Sequence, residues 1–377
     1  MKKLLALLLC AAMLLSLAAC GGSGDETQPE SGETGYQVAM ITDYGDITDQ
    51  SFNQTTYEAC KAYCEPNGIP FTYFKPVGDS DADRIAMVDA AVMEGYNIIV
   101  LPGFAFPETI KQTADVYPEV KFIALDVGQN ELGDYELPDN VYCAIYQEEL
   151  SGYMAGVAAV KLGYRHLGVL GGMAAPAVQR FAYGFLQGAD DAAVELNVVD
   201  QIKVEYVYGN QFFGDADITA VMDTWFSSLG VELVFSCGGG IWSSAAEAAA
   251  KVGGKLIGVD VDQAAIIDPA YGEGMTITSA MKGLAPTVEN TLADVIENDN
   301  WTAYGGKIAN LGLASAEPAE NYVQLPMEST QWSDSFTAED YRALVAAMFD
   351  GTIEVSNDIS NMPQTQIAVE VHPNIKG

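Results

Sequence analysis

The sequence predicts an α/β fold of two doubly wound, parallel-sheet lobes with a ligand cleft between them. Three observations lead there. From Gln37 onward, short aliphatic or β-branched runs alternate with helix-length patterns, as strand–helix repeats require. Each of these runs is followed at once by glycine, aromatic or acidic residues, at the carboxyl edge where open α/β sheets bind ligands. The length of 377 residues, 49% hydrophobic and 18% charged, is enough for two domains with sizeable cores.

The first residues read as an address rather than as part of the fold. Lys2 and Lys3 precede an apolar run from Leu4 to Leu17, which suits a signal peptide and falls short of the ~20 residues of a spanning helix. Leu17-Ala18-Ala19-Cys20 resembles a bacterial lipobox, so residues 1–19 are expected to be removed and Cys20 to carry lipid. Residues 20–35 hold no large apolar side chain beyond Cys20 and read as a flexible tether of roughly 20 Å mean span. No later apolar run reaches eighteen residues, so the lipid is the expected membrane contact.

In the first lobe, residues 36–140, strands are expected at Val38–Thr42, Ile98–Leu101 and Phe122–Leu125. Asp43-Tyr44-Gly45-Asp46, Pro102-Gly103-Phe104 and Asp126 follow them in turn. A stripe of Phe52, Thr56, Ala59, Cys60 and Tyr63 marks a helix, with further helices at Asp83–Glu94 and Pro107–Tyr117. In the second lobe, residues 141–275, strands at Leu167–Leu170, Val204–Tyr208, Leu233–Ser236 and Leu256–Val259 precede Gly171-Gly172, Gly209 to Phe213, Gly238-Gly239-Gly240 and Asp260-Val261-Asp262. Glu149–Leu162, Pro176–Leu196 and Gly283–Glu297 read as helices. Residues 276–377 are expected to cross back through Thr276–Ala280 and to be shared between the lobes, with a helix at Ala338–Phe349 and a strand at Gln366–Val371.

Composition removes several functions. With 17 basic against 52 acidic residues and a net charge of −35, no surface could neutralise a run of phosphates, so nucleic acid is excluded as a partner. Two histidines, His166 and His372, give no zinc-finger or metalloprotease spacing. There is no phosphate loop, no Gly-x-Ser-x-Gly elbow and no dinucleotide fingerprint after Gly168, so neither a catalytic residue nor a cofactor is expected. Asp43, Asp46 and Asp49 imitate a calcium loop but lack its glycine and closing glutamate. Outside the signal region, Cys60, Cys64, Cys143 and Cys237 are expected as buried free thiols, with one disulfide as the alternative.

Asp43-Tyr-Gly-Asp-Ile-Thr-Asp49-Gln-Ser51-Phe52-Asn53-Gln54 resembles the basic membrane protein family, substrate-binding lipoproteins of ABC transporters that include purine-nucleoside receptors. The resemblance continues through Gly103-Phe104, Tyr117 to Phe122, Gly152 to Ala159, Gly171-Gly172, Arg180 to Phe185, Gly258-Val-Asp260-Val-Asp262-Gln263 and Thr278 to Lys282. It covers essentially the whole body after the tether. It implies a type I periplasmic-binding-protein fold and capture of a nucleoside, a purine by preference, for an ABC permease, without catalysis.

The resemblance also implies roles for single residues. Phe52 and either Phe212 or Phe213 would sandwich the base, an arrangement in which stacking contributes ~1–3 kcal/mol per base. Asp43, Asp49 and Asn53 would read the base, Asp260 and Lys282 the ribose hydroxyls, and Asp126 would be a further cleft acid. Gly238 would let backbone approach the ligand, while Arg180 would tie its helix to the lobe. Two departures stand out: Trp242 follows the triple glycine where the family has a small residue, and the Phe212-Phe213 pair replaces a single Phe. A sugar or other small-solute receptor of the same fold, or a nucleoside-cleaving enzyme, are the alternatives. The protein is expected to work as a monomer, lipid-anchored on the extracytoplasmic face of the cell membrane.

One acyl chain binds a bilayer marginally, so multiple acylation at Cys20 is expected. Cys20→Ser should release the protein from washed membranes into the soluble fraction. Equal retention of parent and variant would rule out this anchor.

Overall fold

The computed structural model describes residues 35–377, so the expected signal peptide, Cys20 and nearly all of the tether lie outside the described residues. The body folds as two sheets. The first contains β1 (Val38–Ile41), β2 (Phe71–Phe74), β3 (Ile98–Pro102), β4 (Lys121–Leu125), β5 (Val141–Tyr146) and β11 (Lys307–Leu311), in the order β11-β5-β4-β3-β1-β2. All its pairings are parallel. The second contains β6 (His166–Gly171), β7 (Lys203–Tyr208), β8 (Leu233–Cys237), β9 (Lys255–Asp260), β10 (Thr276–Lys282), β12 (Val323–Gln324) and β13 (Ala368–Val371), in the order β12-β10-β9-β8-β6-β7-β13. Here β12 alone runs antiparallel, against β10.

The central strands are the fully apolar runs, as burial on both faces demands. In β3 every residue from Ile98 to Pro102 is buried. Helices α1 (Phe52–Cys64) and α10 (Leu284–Glu297) cover one face of the first sheet through Ala59, Cys60, Leu284, Val288 and Leu292. Helices α5 (Glu148–Lys161) and α6 (Pro176–Glu195) cover the second sheet through Met154, Phe181, Phe185 and Ala189. These two helices touch backbone to backbone. A Cβ at Gly152 would fall 2.1 Å from the Phe181 carbonyl oxygen, and one at Gly184 the same distance from that of Glu149. The four described cysteines are free and buried.

The structure corrects the boundaries. Val141–Tyr146 was expected to open the second lobe, yet β5 pairs with β4 and belongs to the first sheet. The stretch between β4 and β5 carries a one-turn helix, Gln129–Leu132, and stays within the first lobe. Thr276–Ala280 was expected as a crossing segment, but it lies within β10, paired with β9 in the second sheet. The chain changes lobe at Gln147, at Gly283 and again between Leu311 and Val323. Strands β2, β5, β11 and β12 were not foreseen, and β2 and β11 show why. Both are sheet edges with partly exposed residues, so neither shows a buried apolar run.

Close helix contact makes α5 and α6 intolerant of added volume. Gly184→Val should lower the unfolding free energy in denaturant titrations by ~1–3 kcal/mol or more. An unchanged midpoint would show that the two helices can separate freely.

Candidate functional site

The site is built first on the loop between β1 and α1. Asp49 accepts from the backbone N–H groups of Ser51, Asn53 and Gln54 and from Asn53 Nδ2. It thereby satisfies the helix N-terminus, where the dipole also favours an anion. Asp43 accepts from the Gly45 N–H and from Asn53 Nδ2, each at 2.9 Å. Burial pushes the Asp43 carboxyl up to about 6 against the pull of those bonds. Its carboxylate rests on Gly103, whose φ is +123° and where a Cβ would meet Asp43 Oδ2 at 2.1 Å. Asn53 is clamped by both acids, and its own Oδ1 is buried with no hydrogen-bond partner among the described residues.

The electrostatic centre is Lys282, at the carboxyl end of β10. Its side chain is 2% exposed, with Nζ 2.6 Å from Asp126 Oδ2, 3.4 Å from Glu148 Oε1 and 3.8 Å from Asp260 Oδ1. Burial alone would lower its pKa, but the carboxylates of Asp126, Glu148 and Asp260 outweigh that and hold it above the usual lysine value. The ammonium also sits 4.5 Å from the ring centroid of Phe52, with Tyr146 and Phe181 at 5.4 and 5.7 Å. Glu148 is fully buried and takes a second cation, Arg180, at 2.6 Å from its Nε. Arg180 thus ties α6 to the start of α5.

Asp126 and Asp260 occupy matching positions, just past the end of β4 in one lobe and at the end of β9 in the other. Both are left-handed, with φ of 59° and 66°, a conformation that costs of order 1–3 kcal/mol for a residue with a side chain. Burial raises the pKa of both carboxyls against the opposing effect of Lys282. Asp126 Oδ1 is buried without a partner among the described residues, whereas Asp260 accepts from Ser51 Oγ across the lobe boundary. The Asp260–Lys282 contact is the longest of the three, at 3.8 Å, and Asp126 holds the ammonium most closely.

Around these charges lies a cavity of about 460 Å³. The candidates Asp43, Asp49, Phe52, Asn53, Asp126, Phe212, Phe213, Gly238, Trp242, Asp260 and Lys282 all line it, although they come from both lobes. The two phenylalanines differ. Phe212 is half-buried against Gly172 and Gly238, while Phe213 is 62% exposed and its backbone bridges to Gly240. Trp242 opens helix α8 (Trp242–Ala250), is buried edge-to-face with Tyr271, and leaves Nε1 without a partner among the described residues. Gly238 is small because Gly172 crowds it: a Cβ there would lie 2.6 Å from the Gly172 Cα.

Glu148 was not among the sequence candidates, and Tyr44 and Phe104, which line the cavity, were placed at the carboxyl edge without a ligand role. Glu148 follows β5 by one connecting residue, so reading β5 as a strand would have flagged it by the carboxyl-edge rule. Both histidines lie away from the cleft, where His166 and His372 point Nε2 at the buried carboxylate of Glu205, at 2.9 and 2.6 Å. Glu205, Glu370 and His372 have ligand atoms close enough for a cation. That place is taken by the Lys203 ammonium, 2.7 Å from each carboxylate.

Comparison with known proteins bears on this cleft. The family model described as "ABC transporter substrate-binding protein PnrA-like" matches residues 36–341. Basic membrane protein B of Borreliella afzelii is 27% identical over 290 residues, covering 75% of this chain and 80% of that protein. The ABC transporter nucleoside-binding protein BmpA of Lactococcus lactis is 29% identical over 244 residues, 61% of this chain and 65%, just under two thirds, of its own length. Among solved structures, an ABC transporter solute-binding protein from Aeropyrum pernix superposes with a TM-score of 0.65 at 23% identity, covering 86% of this chain and 88% of that one. An ABC transporter solute-binding protein from Agrobacterium vitis, with bound α-D-tagatopyranose, gives a TM-score of 0.55 at 14% identity, covering 74% and 92%. At these identities the structural likeness concerns the fold.

The Asp43 carboxyl, raised from an ordinary 3.8 to about 6, binds its proton more tightly in the folded protein than in the unfolded chain. Its stabilising effect is therefore complete below about pH 4 and is lost as pH rises through about 6. In denaturant titrations of the ligand-free protein, this group should make stability fall over that window by roughly 1.4 kcal/mol per pH unit. Asp43→Asn should flatten that slope. Identical pH profiles for parent and variant would mean that Asp43 is hydrated rather than buried.

Proposed function

The chain belongs to the Bmp family of PnrA-like ABC transporter substrate-binding proteins, and on that premise we propose that it captures a neutral nucleoside, preferably a purine, between its lobes for delivery to a permease. It is a binding protein and not an enzyme. The observation that carries the nucleoside reading is a pair of buried acceptors without partners, Asn53 Oδ1 and Asp126 Oδ1, in a cavity walled by Phe52 and Phe212. A buried acceptor left unpaired costs ~1–3 kcal/mol, so both favour a ligand carrying N–H and O–H donors. A nucleoside supplies such donors on either side of a flat ring.

In this reading the base lies against Phe52, with Phe212 as the opposite plate because it is the packed member of the pair. Asn53 and Asp43 read the base edge; Asp49, already saturated by the helix N-terminus, orients Asn53 instead of touching ligand. Asp126, Asp260 and Lys282 read the ribose hydroxyls. Asp43, Asp46, Asp49, Asp126 and Asp260 outnumber Lys75 and Lys282 around the cavity, which disfavours phosphorylated nucleotides by like-charge repulsion. The lipid on Cys20 and its tether would keep the monomer beside its permease on the extracytoplasmic face of the membrane.

Calorimetry with guanosine, guanine, 2′,3′-dideoxyguanosine and glucose tests the assignment. Guanosine should bind best, the free base and the dideoxy analogue more weakly, and Asp260→Ala should erase the preference for ribose. Phe52→Ala should weaken guanosine by about 5- to 150-fold. Tighter binding of glucose, or equal affinity for the three guanine compounds, would overturn the nucleoside reading.

A further inference from the structure

We propose that Phe104 is a latch between the lobes: its ring, carried by the first lobe, seats on the core of the second and biases the cleft toward closure before ligand arrives. The inference rests on the reading of the cleft as a binding site that opens and closes. Phe104 follows Gly103 at the end of β3, in the first lobe. Yet it packs against the apolar cluster of the second lobe that contains Val178, Phe181 and Phe235. Its ring centroid lies 6.0 Å from that of Phe212, tilted by 55°.

The latch is braced from behind. Tyr44 stacks on Phe104 at 5.7 Å and 20°, and the Arg84 guanidinium covers Tyr44 at 5.5 Å. Arg84 is itself 3% exposed and anchored to the Asp79 carbonyl and the Asp81 carboxylate, at the start of helix α2 (Asp81–Met93). A row of Arg84, Tyr44 and Phe104 therefore moves as part of the first lobe.

Leu150 and Leu313 also pack against both lobes, but beside the segments where the chain crosses, and three further contacts differ in kind. Ser51 to Asp260, Gln263 to the Gln50 carbonyl and Lys282 to Asp126 are polar, and water can replace each of them when the lobes part. The Phe104 contact has no such replacement, because opening exposes apolar surface on both sides. It therefore raises the closed fraction of the free protein, and the apparent ligand affinity scales with that fraction.

Energy transfer between dyes on Val77→Cys, in the first lobe, and Ala265→Cys, in the second, reads lobe separation in single molecules; both positions are exposed. In the ligand-free protein, Phe104→Ala should lower the closed fraction by ~3- to 10-fold, and Phe104→Leu should keep most of it. The guanosine dissociation constant should rise by at least the factor by which the closed fraction falls, because Phe104 also lines the cavity. An unchanged closed fraction in Phe104→Ala, or a ligand-free parent that never closes, would overturn the latch even if affinity dropped. Failure of guanosine to bind the parent would instead remove the nucleoside reading, while the ligand-free populations would still decide the latch.

Discussion

A buried ammonium must be surrounded by anions, and the organisation of this protein follows from where Lys282 finds them. Asp126 comes from the first lobe, while Glu148 and Asp260 come from the second, so Asp126 is the one carboxylate of the three that leaves the ammonium when the lobes part. Deleting one partner while the other stays buried costs ~3–5 kcal/mol, so the closed cleft needs all of these charges in place. The lobes are therefore registered against each other by charge at the floor of the cleft. Arg180 extends the same network into α6 by holding Glu148.

That arrangement explains the strained residues. Asp126 and Asp260 both end strands in the left-handed region, which ordinary side chains avoid. Each strand must stop and turn its carboxylate toward the same ammonium, from opposite sides. The strain is tolerated because the charge network fixes it, and it leaves Asp126 Oδ1 unpartnered beside the cavity. The rings of Phe52, Tyr146 and Phe181 complete the enclosure around the ammonium.

Much of this was legible in the sequence because it was local. Apolar runs gave the central strands, and the residue after each run gave Asp126, Gly103 and Asp260 at the cleft. The resemblance supplied Lys282, Phe212 and Trp242, and all of them line one cavity. What could not be read was long-range. Strand β5 looks like any apolar run, and nothing within Val141–Tyr146 says that its partner is β4 rather than a strand of the second lobe. Glu148 and Asp126 meet through Lys282 from three separate parts of the chain, so no spacing reveals that they share one ammonium. The role of Asp49 was also hidden, since a capping carboxylate and a ligand-reading one are the same residue until the helix start is seen.

The central claim is that this charged, aromatic-walled cleft holds a nucleoside. The most direct measurement is mass spectrometry of the small molecule released when the natively purified protein is denatured. The account predicts a purine nucleoside without phosphate, at up to one per chain. A sugar, a peptide or a nucleotide recovered at that stoichiometry would contradict it.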